Sequence, residues 1–129
     1  MRAVDTSVVV RLLMEDQPEQ FASALSLFRT QSTWIPTTVI LETEWVLRGG
    51  YQLTQPRIAA ALRSLIALSG VRNENAVAVS RALDWFERGM DFADALHLAS
   101  AEGCDGLATF DRDFIRSAAR LDAGTVAEP

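Results

Sequence analysis

Short apolar runs alternate with longer stretches of helical period along this chain, and that alternation narrows what it can fold into. Residues 2–5 read as a short strand and residues 6–14 as the helix after it. Pro18 suits the first turn of a second helix, whose Phe21, Ala24, Leu25 and Phe28 recur at helical spacing. Trp34-Ile35-Pro36 reads as a strand. Thr37 or Thr38 is then placed to cap a helix carrying Val39, Ile40, Trp45, Val46 and Leu47, which Gly49-Gly50 ends. Thr54 with Pro56 opens a helix to Ser69, broken by Gly70, and Asn73 is expected to cap another through Val77, Leu83, Trp85 and Phe86, ended by Gly89. Asp91 is expected to cap a helix through Leu96 and Leu98, ended by Gly103. Residues 106–110 read as a strand and 113–120 as a last helix, and the tail to Pro129 carries no readable pattern.

Strands joined by helical crossovers run parallel, so the pattern predicts an α/β sandwich. With 129 residues, of which 49% are hydrophobic and 22% charged, one domain spanning 1–129 has enough chain to bury a core. In such sheets the functional crevice lies beyond the carboxyl ends of the strands.

Composition removes several chemistries. The single cysteine, Cys104, allows neither an internal disulfide nor a thiolate zinc site. The single histidine, His97, excludes an HExxH zinc site. All 12 basic residues are arginine, so there is no P-loop or Schiff-base lysine. A net charge of −5 argues against nucleic-acid binding by the overall field and leaves it to local arginines, which grip phosphate bidentately; Arg11, Arg48, Arg112 and Arg116 are the candidates. No apolar stretch is long enough to cross a bilayer, and Asp5 and Arg11 interrupt any signal-peptide core. The expectation is a cytoplasmic protein away from membranes.

Four acids stand out by position. Asp5 and Asp111 each follow a predicted strand, and Glu42 and Asp94 each lie in the first turns of a helix expected at the same sheet edge. Clustered carboxylates raise one another's pKa or require a cation. An all-carboxylate set suits Mg²⁺ or Mn²⁺, and the chemistry that follows is phosphodiester hydrolysis. Each acid also has an ordinary reading: Asp5, Asp91 and Asp94 as helix-start residues, Glu42 as an exposed helix residue and Asp111 as a turn residue.

At these residues the chain resembles the PIN-domain family, and within it the VapC toxins of toxin–antitoxin pairs. Ala3-Val4-Asp5-Thr6-Ser7 is similar to the family's opening strand, and Glu42-Thr43-Glu44-Trp45-Val46-Leu47-Arg48 to its second motif. Asp91-Phe92-Ala93-Asp94-Ala95-Leu96-His97-Leu98-Ala99 and Thr109-Phe110-Asp111-Arg112-Asp113-Phe114 resemble the third and fourth. The four occur in order across residues 3–114. The resemblance implies a three-layer α/β/α sandwich, an Mg²⁺ or Mn²⁺ site, cleavage of single-stranded RNA or tRNA, a homodimer and a VapB-type antitoxin partner. Carried over, Asp5, Glu42, Asp94 and Asp111 are the catalytic acids. Asp5 and Asp94 are the first choices as direct metal ligands, and Glu42 and Asp111 bind through water or orient the nucleophile, with Asp111 counted with Asp5 and Asp94 as a metal residue. Thr6 and Ser7 are second-rank supports of the carboxylates and Asp91 is a cap or an accessory acid. Glu44 and Asp113 rank below, because helical geometry turns Glu44 away from the face of Glu42. Trp45, Leu47, Trp85 and Phe86 are expected in the core or at a dimer contact, His97 as a packed or surface residue, and Cys104 as a small apolar filler. The competing readings are a catalytically silent PIN-like interaction module and a nuclease acting on DNA.

Overall fold

The computed structural model describes all residues from Met1 to Pro129, as seven helices and five two-residue strands in two compact units, 1–76 and 77–129. The α/β class with short parallel strands is what the chain adopts.

In the first unit, β1 (Arg2–Ala3), β2 (Thr33–Trp34) and β3 (Val71–Arg72) pair in parallel, in the order β1-β2-β3. Two helices fill each crossover: α1 (Thr6–Met14) and α2 (Pro18–Thr30), then α3 (Thr37–Gly49) and α4 (Gln55–Ile66). Helical spacing places Ile40, Thr43 and Leu47 on the buried face of α3 and Ile58, Leu62 and Leu65 on that of α4. Pro18 occupies the first turn of α2, as its fixed φ favours.

The second unit holds most of α5 (Ala76–Glu87), together with α6 (Phe92–Ala99), β4 (Leu107–Ala108), α7 (Arg112–Leu121) and β5 (Val126–Ala127). Its core gathers Val79, Leu83, Phe86, Phe92, Leu96, Phe114 and Leu121, with Phe86 and Phe92 edge to face at 5.2 Å between ring centres. β4 and β5 pair in parallel, and Gly106 permits their approach: a Cβ there would meet the Thr125 carbonyl oxygen at 3.0 Å, on a backbone with φ +150°.

Several sequence expectations are corrected. The strands are shorter than read: residues 2–3 rather than 2–5, Thr33–Trp34 rather than Trp34 to Pro36, and Leu107–Ala108 rather than 106–110. They form two sheets rather than one, and both β3 and the tail strand β5 escaped notice because two residues carry no period. Helix α4 stops at Ile66, not Ser69, and α6 at Ala99, well short of Gly103. Neither Thr37 nor Thr38 caps α3: Pro36 stands at the cap, and the carboxylate of Glu74 accepts from the Thr37 amide at 2.8 Å. Asn73 caps no helix. Its amide donates to the Ile35 carbonyl (2.7 Å) and its oxygen accepts from the Asn75 amide (2.7 Å), so it ties the end of β3 to the end of β2.

Candidate functional site

Asp5 ends the β1 segment and caps α1. Its Oδ1 accepts from the Ser7 amide (3.0 Å), the Ser7 hydroxyl (2.6 Å) and the Val8 amide (3.4 Å). The Ser7 hydroxyl, followed by the Val8 amide, holds this carboxyl below its usual value. All three bonds end on one oxygen, so Oδ2 remains for another ligand. Thr6 is buried, and its hydroxyl donates to Glu42 Oε1, so the start of α1 fixes an acid on α3. Only Oε1 is used; Glu42 itself is exposed. Glu44, two residues on, turns to the buried face as helical geometry requires, is 2% exposed, and is held by Arg48 Nε at 2.8 Å.

Beside Glu42 lies a hollow of about 340 Å³ lined by Thr6, Ser7, Arg11, Glu42 and Tyr51, among others. Arg11 is fixed there. Its Nε donates to Gln20 (2.6 Å), its Nη1 donates to the Tyr51 hydroxyl (3.1 Å), and that hydroxyl donates to Asp16 (2.8 Å). A larger hollow of about 720 Å³ along α1 and α2 shares Ser7 and Arg11 with it but touches none of the four acids, so size does not mark the site. Tyr51 was not singled out in the sequence, because it stands in no motif segment and only the packing of the first unit brings it to Arg11.

In the second unit, Asp91 caps α6 by accepting from the Asp94 amide (3.1 Å), and Asp111 caps α7 by accepting from the Asp113 (2.9 Å) and Phe114 (3.2 Å) amides through one oxygen. Asp94 is half-buried. Desolvation first, then the charges of Asp91 and Asp111, push its pKa up, with only His97 opposing them. Asp91 and Asp111 therefore both lie within electrostatic reach of Asp94. His97 is exposed, as is Cys104, which is no core filler. Arg116 is paired with Asp113, whereas Arg112 is exposed.

Each unit thus supplies two of the four acids. No three His, Cys, Asp or Glu side chains stand close enough together to hold an ion. Trp85 and Phe86 are core residues, whereas Trp45 is 64% exposed and Phe110 79% exposed, so of the two places expected for Trp45, core or dimer contact, the core is ruled out. No helix is long and apolar enough to cross a membrane.

A comparison with curated proteins returns no match. The PIN-domain family matches residues 2–120, a span that contains all four acids and every element except β5, apart from the last residue of α7. PIN domains are generally nucleases, and this chain belongs to the PIN-domain family.

Proposed function

We propose that the protein is a metal-dependent endoribonuclease, hydrolysing phosphodiester bonds in RNA, with tRNA among its substrates, as the toxin of a toxin–antitoxin pair. The observation that carries this reading is Asp94: a half-buried carboxyl at a helix start, pushed up by desolvation and by two neighbouring carboxyls. A divalent cation reverses both penalties, since it favours the ionised form of each acid. The donor chemistry fits Mg²⁺ or Mn²⁺, because every candidate ligand is a carboxylate oxygen. Asp5, Asp94 and Asp111 are the proposed ligands.

When bound, such an ion lowers the pKa of a coordinated water and neutralises charge at the phosphate. The chain's own residues hold the acids ready for this. Ser7 and the Val8 amide orient Asp5, the α7 amides orient Asp111, and Thr6 orients Glu42, the acid proposed to position the attacking water. The motif resemblance to VapC toxins supports the further proposals of a homodimer and of a VapB-type antitoxin as partner.

The test is incubation of antitoxin-free protein with total RNA and tRNA in Mg²⁺, Mn²⁺ or EDTA. Discrete cuts that require metal are expected. Folded protein that neither cuts RNA nor binds Mn²⁺ would instead be an interaction module, and cutting of DNA alone would move the substrate class.

Thr6→Val probes the support of Glu42. It keeps the β-branched shape and removes the only hydrogen bond to that carboxylate. A loss of roughly 10- to 100-fold in metal-dependent cleavage is expected, with the circular dichroism spectrum unchanged. Undiminished cleavage would leave the hydroxyl a packing group.

A further inference from the structure

Phe110 is 79% exposed, while Phe86, Phe92 and Phe114 of the same unit are buried. A phenyl ring left in water forgoes the burial that normally justifies it. The ring does not sit on a loose segment. The Thr109 amide before it donates to the Ala127 carbonyl at 3.0 Å, and the Asp111 amide after it donates to the Thr109 hydroxyl at 3.0 Å. Asp111 then caps α7, so the backbone is fixed on both sides of the ring.

Its sequence neighbours are Thr109, Asp111, Arg112 and Asp113, of which the last three are exposed charges. Protein interfaces are depleted of charge at their cores, so a ring flanked in the chain by three exposed charges is a poor centre for one. It suits a nucleobase, which offers an apolar π face for stacking and carries a phosphate that an adjacent arginine can meet. Arg112 is that arginine: it is the next residue but one and is exposed.

We propose that Phe110 is the stacking platform for an RNA base held beside Asp111, with Arg112 meeting the attached phosphate. This rests on the nuclease reading and adds the means by which single-stranded substrate is positioned. A splayed-out base can stack on the ring; a base inside a duplex cannot, so unpaired RNA is the substrate form that fits.

The test uses the full chain carrying Asp94→Asn, so that RNA binds uncut. Single-stranded oligonucleotides carry 2-aminopurine at successive positions. Quenching at one position is expected, lost on Phe110→Ala and retained on Phe110→Trp. Affinity should fall roughly ten-fold in Phe110→Ala. Phe110→Leu should fall equally, because it restores bulk without a π face. An oligonucleotide abasic at the quenched position should bind the parent and Phe110→Ala alike. Melting temperature should be the same in all Phe110 variants, and Mn²⁺ affinity should be the same in the unsubstituted chain and in Phe110→Ala made in it.

Equal RNA affinity of the parent and Phe110→Ala, or rescue by Phe110→Leu, would overturn the proposal and leave the nuclease reading standing. A changed oligomeric state with unchanged RNA affinity would overturn it in favour of a protein contact. No RNA binding by either the parent or the unsubstituted chain would remove the nuclease reading itself, and this proposal with it.

Discussion

Asp94→Asn is expected to abolish RNA cleavage, by at least roughly 10²–10³-fold, while the protein stays folded. The substitution preserves shape and removes one negative charge from a half-buried position where desolvation, Asp91 and Asp111 all oppose that charge. Stability should move the other way from activity. The folded-state pKa of Asp94 is raised, so the folded protein holds this proton more tightly than the unfolded chain. That contribution to stability is fully present below the unfolded value, near the ordinary carboxyl value of 3.8, and is lost as pH rises through the raised value. At neutral pH without metal the ionised carboxyl is a liability, and Asn should melt slightly higher than Asp.

Metal should invert the order. An ion that binds only the folded protein stabilises it by about 2.7 kcal/mol at one hundred times its dissociation constant, and the variant should lose most of that gain. Thermal melts of both proteins at pH 7 with and without Mn²⁺, read beside a cleavage assay, check the whole pattern. Normal cleavage by Asp94→Asn would remove Asp94 from the site.

Phe92→Ala is expected to cost about 3–5 kcal/mol. Phe92 is 0% exposed and meets Phe86 edge to face, so truncation removes the largest side chain fully buried in this core and leaves a cavity. The effect should reach activity as well. Phe92 stands between the cap Asp91 and the acid Asp94, and it fixes the start of α6 against α5. Loosening it should spread Asp94 over several positions and reduce cleavage even at temperatures where the variant remains folded. Urea unfolding gives the stability and a cleavage assay below the transition gives the rest. Phe110→Ala is the contrast, because an exposed ring should alter stability by no more than about 0.5 kcal/mol. A Phe92→Ala variant as stable as the parent would mean that the core repacks around the gap.

Helices were legible in the chain because each repeats a pattern over several turns. The reading of α1 over residues 6–14 agrees with Thr6–Met14, and Pro18 does open α2. Asp91 caps α6 as read, because a carboxylate at that place satisfies an amide of the first turn by local geometry alone. Strands of two residues carry no such repetition, so β3 and β5 were invisible and the others were overextended. The cap of α3 was misread for a different reason: its acceptor, Glu74, lies 37 residues away, and no local rule points to it.

The same division runs through the candidate site. The sequence by itself determined which acids are present, that they stand in four ordered segments, and that Asp5, Asp91 and Asp111 precede helices whose amides their short side chains reach. These are properties of residue type and local spacing. Only the tertiary structure decided that Thr6 holds Glu42, that Arg11 is locked by Gln20 and Tyr51, that Asp94 shares its field with Asp91 and Asp111, and that Phe110 is left uncovered while Phe92 is enclosed. Each of these depends on which distant segments a side chain meets and on how much water they displace, and neither quantity is written in the neighbourhood of the residue itself.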